Sequence, residues 1–329
     1  MAESPPIISP ENAPARPLIV RLRNWIGDVT LGLPTLQRLQ AAGYDLRLVG
    51  KGWAADLLAA HGWPMQTLGK TLGGRVAQLR ELRRAAQQLD PGFEGRLNAI
   101  AFPYSFSSAL EMRLAGLKAI GYRHEARSLL LARSVARPAA RHELAIYWHL
   151  GTALLGREAP LPSSVSLGCT PAHEQQAQAL RHKHGVAPGY IVICPFAGGT
   201  FEKLDKNWPE FASFAGHDLP PLGRDIVVCP GPGEEDMAVR DFAGCIRLSG
   251  VGLGAYAALL RDAALVIAND TGPGHMAAAV GTPLVSVLGP TDPERWRAWG
   301  PSVRLVRGAP LWPDRSAVLE AARSQLRPR

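Results

Sequence analysis

The sequence predicts an α/β protein built from two doubly wound domains that face a central cleft. Short apolar runs alternate along the chain with segments whose apolar residues recur every three or four positions. Strands that are apolar on both faces are typical of parallel sheets covered by helices on both sides. The length of 329 residues is sufficient for two such domains.

The first half supplies the elements of the predicted N-terminal domain, residues 17–160. A Pro-rich polar tail at 1–16 precedes it, and we expect this tail to be disordered. The domain ends near 157–171, where Pro and Ser residues collect without periodicity, as in a linker. The predicted elements are strands at 18–22, 46–49 and 97–102 and helices at 28–39, 53–60, 74–89 and 107–117.

The second half repeats the alternation, and we assign 161–329 to a C-terminal domain whose last helix could pack back on the N-terminal one. Helices are expected between most of its strands. In such sheets, ligands bind beyond the carboxyl ends of the strands, so residues just after strands are the site candidates. The predicted strands are 190–194, 225–229, 245–248, 264–268 and 284–288.

Charge is distributed unevenly along the chain. The net charge is +8, and residues 1–160 hold 20 Lys and Arg against 12 Asp and Glu, while the remainder is balanced. A nucleic-acid binder, a membrane-surface protein and an enzyme with an anionic substrate are all compatible with this asymmetry. Nucleic acid is disfavoured, because the basic residues lack interleaved aromatics and any recognisable binding module.

The cysteine spacing and the N-terminal segment indicate the cellular compartment. The four cysteines match neither a zinc site nor a disulfide framework, which indicates reduced thiols. We find no signal-peptide layout and no apolar run of roughly 18 residues, the length of a membrane span. We therefore expect a cytoplasmic protein.

The first strand is followed by Arg-Asn-Trp-Ile-Gly-Asp, residues 23–28. With one glycine this is not the G-x-G-x-x-G fingerprint, so a nicotinamide dehydrogenase is disfavoured. Asp28 stands at the start of the next helix, where an acid either stabilises the helix end or faces the cleft as a catalytic group.

Three strand ends in the second half carry groups suited to a nucleotide. A Gly-Gly-Thr turn at 198–200 and Lys206 offer donors and positive charge to a diphosphate. Glu234 follows the next strand, where a carboxylate can accept hydrogen bonds from ribose. The segment 269–275 predicts a glycine-rich helix start whose free N–H groups lie close to the ligand, as a phosphate site requires.

Four blocks in this order resemble the heptosyltransferases of glycosyltransferase family 9, over about residues 18–301. They are 21–28 with Pro34, Lys206-Asn207-Trp208-Pro209, 269–275 with the alanines at 277–279, and 289–293. The resemblance implies a GT-B fold of two Rossmann-like domains and transfer of a heptose, with inversion, from ADP-heptose to inner-core lipopolysaccharide or a related glycan. It implies no metal and no cofactor, the ADP-sugar being a substrate.

The resemblance also assigns roles to residues. Asp28 becomes the general base, and Lys206 a catalytic ligand of the diphosphate. Glu234 resembles the family's ribose-binding acid, although Glu235 is adjacent and the assignment could shift by one. The donor site implied in this way comprises Gly27, Thr200, Lys206, Glu234, Asp270, Thr271, Gly272 and His275.

The acceptor in this family is an anionic glycolipid that the N-terminal domain holds, and the basic first half has the matching sign. A solvated basic face is the alternative explanation for each candidate, and peripheral contact with the inner membrane face is a further expectation. The candidate acceptor ligands are Lys70, Arg75, Arg80, Arg83, Arg84 and Arg123.

Two other functions remain open from the sequence. One is a GT-B enzyme that uses a different nucleotide sugar, either a transferase or an epimerase. The other is a protein that binds a nucleotide sugar without catalysis, against which the presence of Asp28 and Lys206 argues.

Overall fold

The computed structural model describes residues 16–139, 142–308 and 311–326. The predicted disordered tail lies outside the described residues except for Arg16, which begins the first strand. In the part of the chain that is described, no helix is long and apolar enough to cross a membrane.

The N-terminal domain contains a six-stranded parallel sheet. The strands lie side by side in the order β3-β2-β1-β4-β5-β6, and all pairs are parallel. Strands up to β3 are added on one side of β1 and later strands on the other, so the strand order reverses between β1 and β4. This order is that of a doubly wound sheet, in which the crevice at the reversal point binds the ligand. The strands are β1 (Arg16–Arg21), β2 (Tyr44–Gly50), β3 (Met65–Thr67), β4 (Ala99–Ala101), β5 (Ala119–Tyr122) and β6 (Arg133–Val135).

Helices cover both faces of this sheet, because its strands are apolar on both sides. Alternate residues such as Leu18 and Val20 pack against α1 and α5, whereas Ile19 and Val49 pack against α3 and α4. The helices are α1 (Ile26–Ala41), α2 (Trp53–Leu57), α3 (Leu72–Leu89), α4 (Phe106–Leu114) and α5 (Glu143–Leu155).

The C-terminal domain repeats the same topology. Its sheet has the order β11-β10-β7-β12-β13-β14, again parallel throughout, with the reversal between β7 and β12. A short antiparallel hairpin, β8 and β9, follows β7. The strands are β7 (Ile191–Cys194), β8 (Thr200–Phe201), β9 (Leu204–Asp205), β10 (Ile226–Val228), β11 (Ile246–Arg247), β12 (Leu265–Ala268), β13 (Leu284–Leu288) and β14 (Val303–Arg307).

The helices of this domain lie on both sides of its sheet. On the inner side α9 and α10 pack against the sheet, and α10 also packs against α1 of the N-terminal domain. On the outer side lie α7 and α12. The helices are α6 (Pro171–Lys183), α7 (Phe211–Ser213), α8 (Glu235–Asp241), α9 (Leu253–Asp262), α10 (Gly272–Ala279), α11 (Pro293–Trp296) and α12 (Arg315–Gln325).

Two expectations about organisation can be compared with this arrangement. The α/β class with two doubly wound domains is confirmed by the sheet orders. The expectation that the last helix packs back on the N-terminal domain is wrong, because Val318 and Ala322 of α12 are buried in the C-terminal core against β13 and β14. The predicted boundary at 160 falls between α5, which packs on α1, and α6, which packs on α9.

Candidate active site between the two domains

A cavity of about 650 Å³ opens between the domains at the carboxyl ends of both sheets. This volume is typical of small-molecule sites. The wall includes the segments that follow β1, β7 and β12, three of the four strands at the reversal points. The structure brings together all the residues predicted for catalysis and donor binding: Gly27, Asp28, Thr200, Lys206, Glu234, Asp270, Thr271, Gly272 and His275.

Asp28 lies in the first turn of α1, where the helix start positions it at the cavity wall. The Tyr147 hydroxyl donates to Asp28 Oδ1 at 2.6 Å, and Arg23 Nε lies 3.3 Å from the same oxygen. Among the described residues, both hydrogen bonds to this carboxylate end on Oδ1. Oδ2 accepts no hydrogen bond from the described residues.

Tyr147 is a functional candidate that the sequence analysis missed. It is buried on α5, and burial, followed by the adjacent Asp28 carboxylate, raises the pKa of its phenol well above the usual value. The phenol therefore stays protonated and keeps donating to Asp28. Its ring is held edge-on against Phe102, with the centroids 5.4 Å apart.

Glu143, four residues before Tyr147 on α5, connects the N-terminal domain to the C-terminal domain. Its carboxylate is fully buried and accepts hydrogen bonds from the Tyr104 hydroxyl at 2.8 Å and from Arg137 at 2.9 Å. Arg295, which extends from the C-terminal domain and lines the cavity, donates to the same carboxylate at 3.0 Å. A signal was available in the sequence, since Glu143 and Tyr147 are four residues apart and share one face of an otherwise apolar segment.

The start of α10 forms the opposite wall. Thr271 caps this helix, its hydroxyl accepting from Gly274 N at 3.2 Å. Lys206 Nζ and the Thr291 hydroxyl both donate to Asp270 Oδ2, at 3.2 and 3.0 Å. Burial acts to raise the pKa of Asp270, but His275, Lys206 and Thr291 outweigh it and lower that pKa below the usual value. The positive helix end and Lys206 favour an anion here.

His275 carries an unsatisfied atom at this wall. The side chain is buried, and its Nε2 lies 3.8 Å from Asp270 Oδ1. Its Nδ1 is also buried and has no hydrogen-bond partner in the described part of the chain. Buried polar atoms are normally satisfied, so this nitrogen is an exception.

Glycines allow the starts of α1 and α10 to touch across the domain interface. A Cβ on Gly27 would lie 2.7 Å from His275 Cδ2, and one on Gly272 would lie 2.7 Å from Ile26 Cβ. Both distances are far below the van der Waals contact of about 3.5–4.0 Å. The two positive helix ends therefore converge on the cavity because neither residue has a side chain.

The structure distinguishes between the two adjacent glutamates. Glu234 lines the cavity and accepts from Gly231 N at 2.7 Å, and burial raises its pKa above the usual value. Glu235 is not part of the wall described for this cavity and instead accepts from the Ser249 hydroxyl at 2.8 Å. Of the two glutamates, Glu234 is thus the one at the cavity wall.

Three tryptophans complete the wall: Trp25, Trp53 and Trp296. Trp25 is 65% exposed and extends across the cleft toward Gly198. Aromatic faces with a polar N–H edge suit ligands that have both apolar and hydroxylated surfaces, as sugars do. The sequence analysis did not select these residues.

The six candidate acceptor ligands lie elsewhere. All of them are described, and none lines the cavity: Lys70, Arg75, Arg80, Arg83, Arg84 and Arg123. Arg75 pairs with the buried Glu111 at 2.7 Å, and Arg83 pairs with Glu94 at 2.7 Å. The other four are exposed. Their role in acceptor binding stays a prediction.

Comparison with known proteins identifies the family of this chain. Residues 97–322, more than half of the chain, match the model of glycosyltransferase family 9 (heptosyltransferase). The chain belongs to glycosyltransferase family 9. As for metal ligands, no group of three His, Cys, Asp or Glu side chains that could hold an ion occurs within the described ranges.

Several relatives of this family 9 protein carry heptosyltransferase names. It is 38% identical over 124 residues to lipopolysaccharide heptosyltransferase 3 of Escherichia coli, a match that spans 35% of each chain. It is 25% identical over 299 residues, 82% of each chain, to lipooligosaccharide heptosyltransferase 2 of Haemophilus influenzae. The match to the first thus spans about a third of that enzyme's length.

A solved structure supports the fold. The E. coli ADP-heptose lipopolysaccharide heptosyltransferase II superposes with a TM-score of 0.78 at 21% identity, covering 94% of this chain and 98% of that one. At this level of identity the match shows the fold alone. The GT-B fold expected from the sequence is thereby confirmed.

Proposed function

We propose that this protein transfers a heptose from ADP-heptose to an inner-core lipopolysaccharide or a related glycan acceptor, with inversion at the anomeric carbon. Family membership and the names of its relatives support the reaction class. The observation that carries the proposal is the position of Asp28. Its carboxylate lines the cavity with Oδ2 uncommitted, on the helix whose start touches the start of α10.

In this proposal the C-terminal domain holds the donor and the N-terminal domain the acceptor. The diphosphate binds at the start of α10, where Lys206, Thr200 and the backbone N–H groups after Thr271 supply donors. Glu234 accepts hydrogen bonds from the ribose, and the tryptophan faces contact the sugar.

The reaction proceeds as a single displacement across the cavity. The acceptor hydroxyl oxygen bonds to the anomeric carbon while its proton passes to Asp28 Oδ2. The bond from that carbon to the diphosphate oxygen breaks, and the electron pair leaves with ADP. Because base and leaving group lie on opposite walls, attack comes from the face opposite the departing group, which inverts the configuration.

The charge that develops on ADP is met by fixed donors in the wall. Lys206 carries a positive charge, and the α10 end adds its partial positive charge. We therefore propose that transfer needs no divalent metal. Full activity after chelation with EDTA is the expected result, and loss of activity that Mg²⁺ or Mn²⁺ restores would contradict it.

Replacement of Asp28 tests the proposed function. Incubation with ADP-heptose and a truncated lipopolysaccharide acceptor, analysed by mass spectrometry, should show addition of one heptose by the wild-type protein. Asp28→Asn and Asp28→Ala should abolish this product while ADP affinity stays near wild type, because no donor contact is removed. Asp236→Asn, in an exposed position on α8, is the matched control. Turnover by either Asp28 variant at the wild-type rate would exclude Asp28 as the base.

The identity of the nucleotide is tested separately. Thermal unfolding with ADP, UDP and GDP at one common concentration should show the largest stabilisation with ADP, about 2.7 kcal/mol if that concentration is 100 times the Kd for ADP. A larger shift with UDP or GDP would indicate a GT-B enzyme that uses another nucleotide sugar. ADP binding without any transfer would indicate a binding protein.

A further inference from the structure

Glu143 is a buried carboxylate at the border between the two domains. Its side chain is 0% exposed, whereas the two arginines that pair with it, Arg137 and Arg295, are 40% and 39% exposed. Both arginines donate to Oε1, and the Tyr104 hydroxyl donates to Oε2 at 2.8 Å. A buried ion pair adds little to stability, and its best-attested use is to specify one arrangement of the elements that it joins. The elements that meet at Glu143 therefore indicate what it does.

The two arginines come from different domains. Arg137 precedes α5 in the N-terminal domain, so its bond to Glu143 lies within that domain. Arg295 belongs to α11 of the C-terminal domain, and its Nε and Nη2 lie 3.1 and 3.0 Å from Oε1. A neighbouring contact supports the same junction, since His142 Nε2 lies 3.0 Å from the Arg297 carbonyl oxygen. Two adjacent side chains at the start of α5 thus contact the α11 segment across the interface.

On the N-terminal side this junction leads to Asp28. Tyr147 lies one turn after Glu143 on α5, and its hydroxyl donates to Asp28 Oδ1 at 2.6 Å. The Tyr104 hydroxyl bonds Glu143, and the centre of its ring lies 4.6 Å from the Arg23 guanidinium. Arg23 in turn pairs with Asp28 Oδ1 at 3.3 Å. A shift at the start of α5 would therefore reach Asp28 through both of its hydrogen-bond partners.

On the C-terminal side the junction leads to the wall at the start of α10. Asp292 caps α11 by accepting a backbone hydrogen bond at 3.0 Å, so the single turn that carries Arg295 has a fixed start. Thr291, just before this cap, donates to Asp270 Oδ2 at 3.0 Å. Thr291 and Arg295 both line the cavity. The ion pair therefore joins two series of contacts that end at opposite cavity walls, one at Asp28 and the other at Asp270.

We propose that the ion pair between Arg295 and Glu143 positions Asp28 relative to the start of α10. The inference rests on the proposed function, in which Asp28 is the base and the α10 wall binds the donor. Without the pair both walls keep their own contacts, but their separation can vary, so fewer bound complexes have the geometry for attack. Arg295 and Glu143 are positioning residues, since the groups that react are on Asp28 and the substrates.

Arg295→Gln tests the pair in the transfer assay with ADP-heptose and a truncated lipopolysaccharide acceptor. The variant should fold, because Glu143 keeps Arg137 and Tyr104 as partners. We expect kcat to fall about tenfold, within the roughly 2- to 30-fold range for substitutions in a coupled network, while ADP affinity stays within about twofold. Arg295→Lys should recover kcat to within about threefold of the wild type, because its ammonium can still pair with the carboxylate.

Arg137→Gln is the matched comparison, because it removes a bond to the same oxygen from a side chain of similar exposure without crossing the interface. It should lower kcat by no more than about twofold. Arg304→Gln, on an exposed position of β14, should leave kcat unchanged. Equal losses in Arg295→Gln and Arg137→Gln would show that Glu143 needs compensation of its charge and not contact between the domains, and would overturn the proposal. A wild-type kcat in Arg295→Gln would overturn it as well.

A double-mutant cycle separates positioning from direct contact with a substrate, since Arg295 itself lines the cavity. Glu143→Gln removes the negative charge, so adding Arg295→Gln to it should cost less than about twofold in kcat. A further loss of about tenfold in that background would show that Arg295 acts on a bound substrate without Glu143, which would overturn the proposal. If Glu143→Gln does not fold, the Arg295→Lys recovery and the Arg137→Gln comparison still decide.

Hydrogen exchange of the protein without ligands gives a readout that does not require transfer. In Arg295→Gln the amides of 143–148 and 293–297, which lie in different domains, should both exchange about fivefold faster or more, whereas Arg137→Gln should leave 293–297 unchanged. Wild-type exchange of both segments in Arg295→Gln would overturn the proposal. Failure of the proposed function would appear instead as no heptose product from the wild-type protein, so the two failures are distinguishable.

Discussion

The contact between the starts of α1 and α10 gives the sharpest test of the site geometry. In Gly272→Ala the new Cβ would lie 2.7 Å from Ile26 Cβ, which is fixed to the α1 backbone and cannot rotate away. Reaching van der Waals contact requires the two helix starts to separate by about 1 Å. Asp28 moves with α1, so the proposed base withdraws from the wall that we propose binds the donor. A displacement of that size costs roughly 100-fold in rate, equivalent to about 2.7 kcal/mol in the barrier.

The assay compares turnover with donor affinity. We expect kcat for transfer to fall about 100-fold in Gly272→Ala, while ADP affinity changes only a few-fold because the backbone donors of α10 remain. Gly73→Ala on α3 is the control, since a Cβ there meets nothing within 4 Å. Adding Ile26→Gly to Gly272→Ala leaves one Cβ between the helices, as in the wild type, and should restore most of the lost rate.

Two results would refute this reasoning. Wild-type turnover by Gly272→Ala would show that the close approach of the helices is not needed for transfer. A double variant as slow as Gly272→Ala would show that the steric conflict is not the cause of the loss.

Two further predictions concern the buried polar groups. Tyr147→Phe removes the hydroxyl that donates to Asp28, and a hydrogen bond to a charged group is worth about 1.5–3 kcal/mol. We therefore expect kcat to fall about 10- to 100-fold while the donor KM stays unchanged. A wild-type kcat would rule out this positioning role. Burial lowers the pKa of His142, which bonds the Arg297 carbonyl across the interface, to about 4. Neutral His142 stabilises the folded state fully above about pH 6.5, the pKa of histidine in the unfolded chain. This stabilisation is lost as the pH falls toward 4, the pKa in the folded state. Between pH 7 and 5 the wild type should lose about 2 kcal/mol relative to His142→Gln, measured by thermal unfolding; a pH-independent difference would contradict this.

The sequence was most informative where local pattern and topology agree. The strand at 284–288 matches β13, and the helix predicted at 74–89 differs from α3 by two residues at its start. The strand ends selected as site candidates meet at one cavity, because the carboxyl ends of parallel strands share an edge. By contrast β5, with the sequence Ala-Ile-Gly-Tyr, is short and contains glycine, so its strand conformation depends on pairing with β4 and β6.

Long-range polar partners could not be predicted in the same way. Asp28 and Tyr147 are 119 residues apart, and Glu143 and Arg295 are 152 apart, so no local pattern connects them. The arginines of α3 show the same limit. A basic helix is evident in the sequence. Whether an arginine pairs with an acid, as Arg83 does with Glu94, or donates to a backbone carbonyl, as Arg84 does, depends on packing.

Two aspartates at helix starts show how surroundings decide chemical roles. Asp28 in the first turn of α1 and Asp270 just before α10 both line the cavity. The family resemblance implies the role of base for Asp28 and a place in the donor site for Asp270. Asp270 accepts from Lys206 and Thr291 on Oδ2 and faces His275 with Oδ1, and its lowered pKa keeps it ionised and a poor proton acceptor. Asp28 has both of its described partners on Oδ1, and its Oδ2 accepts no hydrogen bond from the described residues. We therefore expect Asp28 on α1 to be the base and Asp270 before α10 to remain an ionised carboxylate. The hydrogen-bond partners of the two side chains, and not the residue type, determine this difference.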